Sequence, residues 1–150
     1  MAAILVPEAE RGKIQNVTCY DPSAGSGTLL MNIAHAIGED KCTIFTQDIS
    51  QKSSNLLRLN LILNNLVASI PNVVQGNTMT HPYHKEDERL RRFGYIVSNP
   101  PFKLDFSEDR EELSASAHKP RFFAGVPNVP KTKKKVWRFT SFFCSILFIH

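Results

Sequence analysis

Apolar residues along this 150-residue chain fall in short blocks separated by glycine, proline and charge, and their spacing alternates between two periods. Val17-Thr18-Cys19-Tyr20 is a β-prone run ending at Asp21, and Thr43-Ile44-Phe45-Thr46 is a second one, ending at Gln47-Asp48. Val73-Val74 and Tyr95-Ile96-Val97-Ser98 predict a third and a fourth strand. Between the first two runs, Leu29, Ile33 and Ile37 recur at i, i+4 and i+8, which predicts a helix over Thr28 to Ile37 that stops at Gly38. A second helix follows Asp48, capped by Ser50 or Ser53, with Leu56, Leu59, Ile62 and Leu63 expected on its apolar side. His81 to Arg92 mixes both signs of charge and reads as a solvated loop or short helix.

Strands joined through helices predict βαβ units, hence an α/β fold built on a parallel sheet with flanking helices. Right-handed crossovers bring the carboxyl ends of all the strands to one edge, so Asp21, Asp48, Asn77 and Asn99 are expected together there. Ligands of open α/β sheets bind at that edge. Beyond Phe102 the pattern changes. Lys103 to Lys135 is polar and proline-containing and reads as a long loop, and from Val136 the chain turns abruptly aromatic and apolar. The expected division is therefore residues 1–135 as a partial catalytic domain with an incomplete sheet, and 136–150 as an aberrant apolar tail. A frameshift in an adenine-rich run of lysine codons would account for that tail.

Composition narrows the field only modestly. The net charge of +4 favours an anionic partner, yet Lys131 to Lys135 supplies four of those charges and leaves the remainder balanced. The three cysteines lack the pairing of a zinc site or of a disulfide framework, and His81 with His84 has no supporting ligands, so no metal is expected. A reducing cytoplasm is the expected compartment. The opening residues lack the basic flank of a signal peptide, and Phe142 to Ile149 is far shorter than the ~20 residues that cross a bilayer, so no membrane association is expected.

Two segments carry candidate chemistry. In Asp21-Pro22-Ser23-Ala24-Gly25-Ser26-Gly27, the glycines allow a ligand to approach the backbone, and the following helix presents its first N–H groups to a carboxylate. Asp21 is a candidate for an amino group of a nucleoside-containing cofactor. Asp48, roughly 20 residues beyond the glycines, suits ribose hydroxyls, although capping of the next helix would also use it. Ile49 adjoins it, and Asn77 is a candidate for a hydrogen bond to an adenine ring. The second segment is Asn99-Pro100-Pro101-Phe102. The Asn99 side-chain oxygen and the Pro100 carbonyl can accept both N–H groups of an exocyclic amine, Pro101 stiffens the turn, and Phe102 offers a face for stacking.

With these motifs in this order, the chain resembles the amino-methyltransferases, and is most similar to the modification subunit of type I restriction–modification systems. Asp21 to Leu30 is similar to that family's cofactor motif, Gln47-Asp48-Ile49-Ser50 to its acidic ribose position, and Asn99 to Phe102 to its catalytic motif. Gly76-Asn77-Thr78 stands where the family more often has Gly-Asp. Arg121 to Pro127 is similar to a loop of the type I proteins. The resemblance spans about Met1 to Lys135. It implies a Rossmann-like fold using S-adenosyl-L-methionine, a target adenine flipped from the duplex and methylated at N6, and partners comprising DNA and the specificity and restriction subunits. It also implies further segments before Met1 and after the fourth strand, so the chain is expected to be truncated at both ends. Two other readings stay open. One is an amino-methyltransferase acting on protein glutamine or RNA, and the other an inactive fragment that binds only a nucleoside or a partner subunit.

Overall fold

The computed structural model describes Lys13 and residues 15–100 and 109–115. In chain order the strands are β1 (Val17–Asp21), β2 (Cys42–Asp48), β3 (Val73–Gln75), β4 (Lys85–Glu86), β5 (Arg89–Leu90) and β6 (Tyr95–Ile96), and the helices are α1 (Thr28–Ile37), α2 (Gln51–Leu63) and α3 (Arg110–Leu113). The chain divides into two units, Met1–Asn99 and Pro100–His150. Of the second unit, the short helix α3 is described. The expected boundary between Lys135 and Val136 lies outside the described residues, as do the Arg121 to Pro127 loop and the apolar tail.

The first unit is a parallel four-stranded sheet in the order β3-β2-β1-β6. Val17 pairs with Cys42, Asp21 with Thr46, Asp48 with Gln75, and Tyr20 with Ile96. The expected α/β class, parallel sheet and flanking helices are all present, and among the described residues the sheet has four strands. The fourth strand is shorter than expected, but Val97 N still donates to Tyr20 O at 2.9 Å and carries the chain along β1.

Alternation along β1 and β2 separates two faces. Cys19 and Ile44 point into a core built with Leu30, Ile33, Ala34 and Ile37 of α1 and Leu57 and Leu61 of α2. Each large side chain buried there contributes about 1.5–3 kcal/mol. On the opposite face, Phe93 stacks on Tyr20 at 4.5 Å between centroids, and the Arg91 guanidinium lies 4.3 Å above the Phe45 ring. The expected charged loop is thus a β4–β5 hairpin. Its tip is solvated, while its base returns His84 and Arg91 to the sheet. His84 Nε2–H donates to Thr46 O at 2.9 Å, and burial, with the Arg91 charge beside it, holds the imidazole below its ordinary pKa.

α1 occupies the expected residues. α2 is rotated relative to expectation: Leu56, Leu59, Ile62 and Leu63 face solvent, and Ser54, Leu57 and Leu61 face the core. Leucine and isoleucine occur nearly all round this helix, so periodicity alone does not set its phase. Bonds to other elements hold the observed phase: Asn60 Nδ2 donates to Ser26 O at 2.8 Å, and Arg58 Nη2 donates to Val73 O at 2.8 Å. Ser50 Oγ caps the helix by accepting from Ser53 N.

Candidate active site

The carboxyl ends of β1, β2, β3 and β6 share one edge, which brings Asp21, Asp48, Asn77 and Asn99 there as parallel topology requires. Asp21 ends β1 and is 2 % exposed. Its carboxyl is pushed up to about 7, chiefly by burial and further by the charge of Asp48. The Ser23 amide, 2.9 Å from Asp21 Oδ1, opposes that shift, as do the hydroxyls of Ser23 and Ser98.

The loop from Pro22 to Gly27 then turns into α1. Gly25 and Gly27 both have positive φ, +54° and +81°, but for different ends. A Cβ on Gly25 would enter open space, whereas one on Gly27 would lie 2.5 Å from Leu57 Cδ1. Gly25 therefore leaves room above the loop, and Gly27 lets α1 and α2 close together. No side chain caps the start of α1.

Asp48 spans the loop and the next helix. Its Oδ2 accepts from Gly25 N and its Oδ1 from Ser50 N, both at 2.8 Å. One carboxylate at the sheet edge therefore organises both the start of α2 and the glycine loop. Ile49 is 66 % exposed beside it. Asn77 uses its Oδ1 to accept from Met79 N at 2.9 Å, an Asx turn that shapes the loop after β3. Its neighbour Thr78 donates to Pro22 O at 2.7 Å and pins that loop to the glycine turn.

Asn99 closes the first unit and is exposed. Pro100 opens the second unit, and Pro101 and Phe102 lie outside the described residues. Of the two predicted segments, the structure therefore describes the glycine turn completely and the tetrapeptide as far as Pro100.

Three contributors escape a sequence reading. Ser98 Oγ lies 2.7 Å from Ser23 Oγ. Gln47 is buried in β2 and holds both His81 O and Tyr83 N with its amide group. Thr78 is the third. None carries a local signal, because each acts on a partner distant in sequence. His81 and His84 take separate partners, Thr80 Oγ1 and Thr46 O. Among the described residues no group of three His, Cys, Asp or Glu is placed to hold a metal ion, and no helix is long and apolar enough to cross a membrane.

A glycine turn between two acidic strand tips, with an Asn-Pro at the tip of the neighbouring strand, is the arrangement on which a family comparison bears directly. The family model described as N-6 DNA Methylase matches residues 2–147. The chain belongs to the N-6 DNA methylase family. Among curated relatives, it is 28 % identical over 99 residues to the type I restriction enzyme MpnII methylase subunit of Mycoplasma pneumoniae, a match covering 61 % of this chain and 18 % of that protein. Among solved structures, the type I restriction-modification system methyltransferase subunit from Streptococcus thermophilus superposes with a TM-score of 0.69 at 23 % identity, over 97 % of this chain and 28 % of that one. TrmN from Thermus thermophilus shares the fold at a TM-score of 0.51 and 20 % identity, over 84 % of this chain and 34 % of that one. The N-6 DNA methylase chain described here thus spans less than a third of the length of its first relatives in each comparison.

Proposed function

We propose that this chain is part of the catalytic core of a site-specific DNA adenine N6 methyltransferase that uses S-adenosyl-L-methionine within a type I restriction–modification complex. The observation that supports it best is the convergence of Asp21, the Gly25–Gly27 turn, Asp48 and Asn99 on one sheet edge in a chain of the N-6 DNA methylase family. The donor set fits the cofactor. Gly25 leaves open space where a side chain would obstruct a ligand, Asp21 and Asp48 are acceptors for an ammonium group and for ribose hydroxyls, and Ile49 is an exposed apolar surface for a purine face.

When bound, the cofactor supplies an electrophilic methyl group. Pro22, Ser23, Ala24, Gly25, Ser26 and Gly27 form the loop that would cradle it, with Asp21, Asp48, Ile49 and Asn77 around its polar and ring portions. Asn99 Oδ1 and the Pro100 carbonyl would accept the two N–H groups of the target amine. Those bonds favour a tetrahedral nitrogen and stabilise the positive charge that grows during attack. Phe102 would stack on the extruded base, since N6 is out of reach in a stacked duplex. Sequence readout and phosphate contacts would come from partner subunits, because basic and acidic residues balance on this chain outside Lys131 to Lys135. A cytoplasmic location follows from acting on cellular DNA.

The test is equilibrium binding of S-adenosyl-L-methionine to the purified chain, with Asp48→Ala as control, followed by methyl transfer to adenine-containing duplexes with partner subunits added. Binding that the substitution abolishes, followed by transfer to adenine, supports the reading. A folded chain that binds no cofactor overturns it in favour of an inactive fragment, and transfer to RNA or protein glutamine instead would redirect the substrate.

A further inference from the structure

The proposed reaction needs two loops in register, one carrying the methyl donor after β1 and one carrying the acceptor amine after β6. Backbone pairing between these strands continues only as far as the bond from Val97 N to Tyr20 O. Beyond it, the two loops are joined by a side-chain bridge: Ser98 Oγ meets Ser23 Oγ at 2.7 Å across 75 residues of sequence. Ser23 belongs to the glycine turn and Ser98 immediately precedes Asn99. Ser23 N also donates to Asp21 Oδ1 at 2.9 Å, so the residue that makes the bridge is itself tied to the carboxyl at the tip of β1.

We infer that Ser98 is a positioning residue, which couples occupancy of the cofactor loop at Asp21 to the placement of Asn99 through the Ser23–Ser98 hydroxyl bridge. The inference rests on the methyltransferase reading above and extends it to a residue outside both motifs. Asp21 is buried, so a ligand group that engages its carboxyl must act on the Ser23 amide already bonded to it. The Ser98 end of the Ser23–Ser98 bridge is a single peptide unit from Asn99. Displacements near 1 Å between reacting groups cost about 10²-fold in rate, so a short rigid link between donor and acceptor loops has a direct catalytic use. An isolated structural bond would hold the strand ends together but would carry no information about the ligand.

The test uses the full chain labelled with ¹⁵N, following the Asn99 side-chain amide resonances while S-adenosyl-L-methionine is titrated. In the wild type the Asn99 signals are expected to shift with cofactor saturation. Ser98→Ala is expected to remove most of that shift while changing cofactor affinity less than about threefold, on the usual size of one neutral hydrogen bond. Ser98→Thr, which restores a hydroxyl, is expected to restore the shift. Ser23→Ala is expected to lose the Asn99 response as Ser98→Ala does, and the double variant to lose no more of that response than either single one. A Ser98→Ala chain that binds cofactor and keeps the wild-type Asn99 response overturns the inference and leaves the methyltransferase reading intact. The same holds if Ser98→Thr fails to rescue. A folded wild-type chain that binds no cofactor overturns both.

Discussion

Asp48 accepts the backbone amide of Gly25 at 2.8 Å, and with Ala24 N donating to Gln47 O beside it the tip of β2 grips the glycine loop that follows β1. The other oxygen of the same carboxylate holds Ser50 N, so two segments lose their common acceptor if Asp48 is shortened. Asp48→Ala is expected to lower unfolding free energy by about 1–3 kcal/mol and to weaken S-adenosyl-L-methionine binding at least tenfold. Denaturant unfolding and calorimetric titration check the two effects separately. Asp48→Asn keeps one acceptor oxygen, and is expected to recover part of the stability without recovering the affinity.

The two glycines of that loop should respond differently to a methyl group. Gly27→Ala places Cβ 2.5 Å from Leu57 Cδ1 at a φ of +81°. Strain and overpacking then act together, and a loss of about 2–4 kcal/mol is expected in chemical denaturation. Gly25→Ala meets open space at a φ of +54°, so its stability loss is expected to stay near 1 kcal/mol. Its larger effect is expected on cofactor binding, where the added methyl occupies the room above the loop.

Asp21 gives the fold a defined pH dependence. Its folded pKa of about 7 lies above the ordinary value of 3.8, so the folded state binds a proton more tightly than the unfolded chain. The associated stability is fully present below about pH 4 and is lost as the pH rises through 7, at roughly 1.4 kcal/mol per pH unit. Asp21→Asn should remove this component, so the difference in unfolding free energy between variant and wild type should grow in the variant's favour from pH 4 to pH 7. Binding of a ligand ammonium needs the ionised carboxylate. Wild-type affinity for S-adenosyl-L-methionine is therefore expected to rise across pH 7, and the Asp21→Asn chain to lose that rise.

Helix α2 offers a test of its phase. Leu57 is fully buried and Leu59 is 50 % exposed, although they are two residues apart. Leu57→Ala is expected to cost about 2–5 kcal/mol, and Leu59→Ala to change stability by no more than about 0.5 kcal/mol. Equal losses at both sites would show that α2 packs with the other face.

Much of this organisation was legible in the chain. Alternating short apolar runs and a helical stripe at Leu29, Ile33 and Ile37 led to the α/β class, to α1 and to the edge on which the polar strand tips gather. The hairpin at Lys85 to Leu90 was not legible, because its charged tip resembles any solvated loop while His84 and Arg91 are held by aromatic partners from β1, β2 and Phe93. Nor was the fate of Asn77 legible, since an Asn after glycine suits both a turn and a ligand contact. The structure shows its Oδ1 in a turn, and the ring contact belongs to the proposal above.

By itself, the sequence determined the four strands of the parallel sheet with α1 and α2 among them, and hence the shared edge carrying Asp21, Asp48 and Asn99. These follow from local periods, glycine breaks and the handedness of crossovers, all of which act over a few residues or one βαβ unit. Tertiary structure alone decided which face of α2 is buried, that Asp48 clasps Gly25 and Ser50 together, and that Ser23 meets Ser98. The reason is that a periodic pattern encodes a spacing but not a phase. Hydrogen bonds that join residues 23 or 75 positions apart exist only once the strands have been laid side by side.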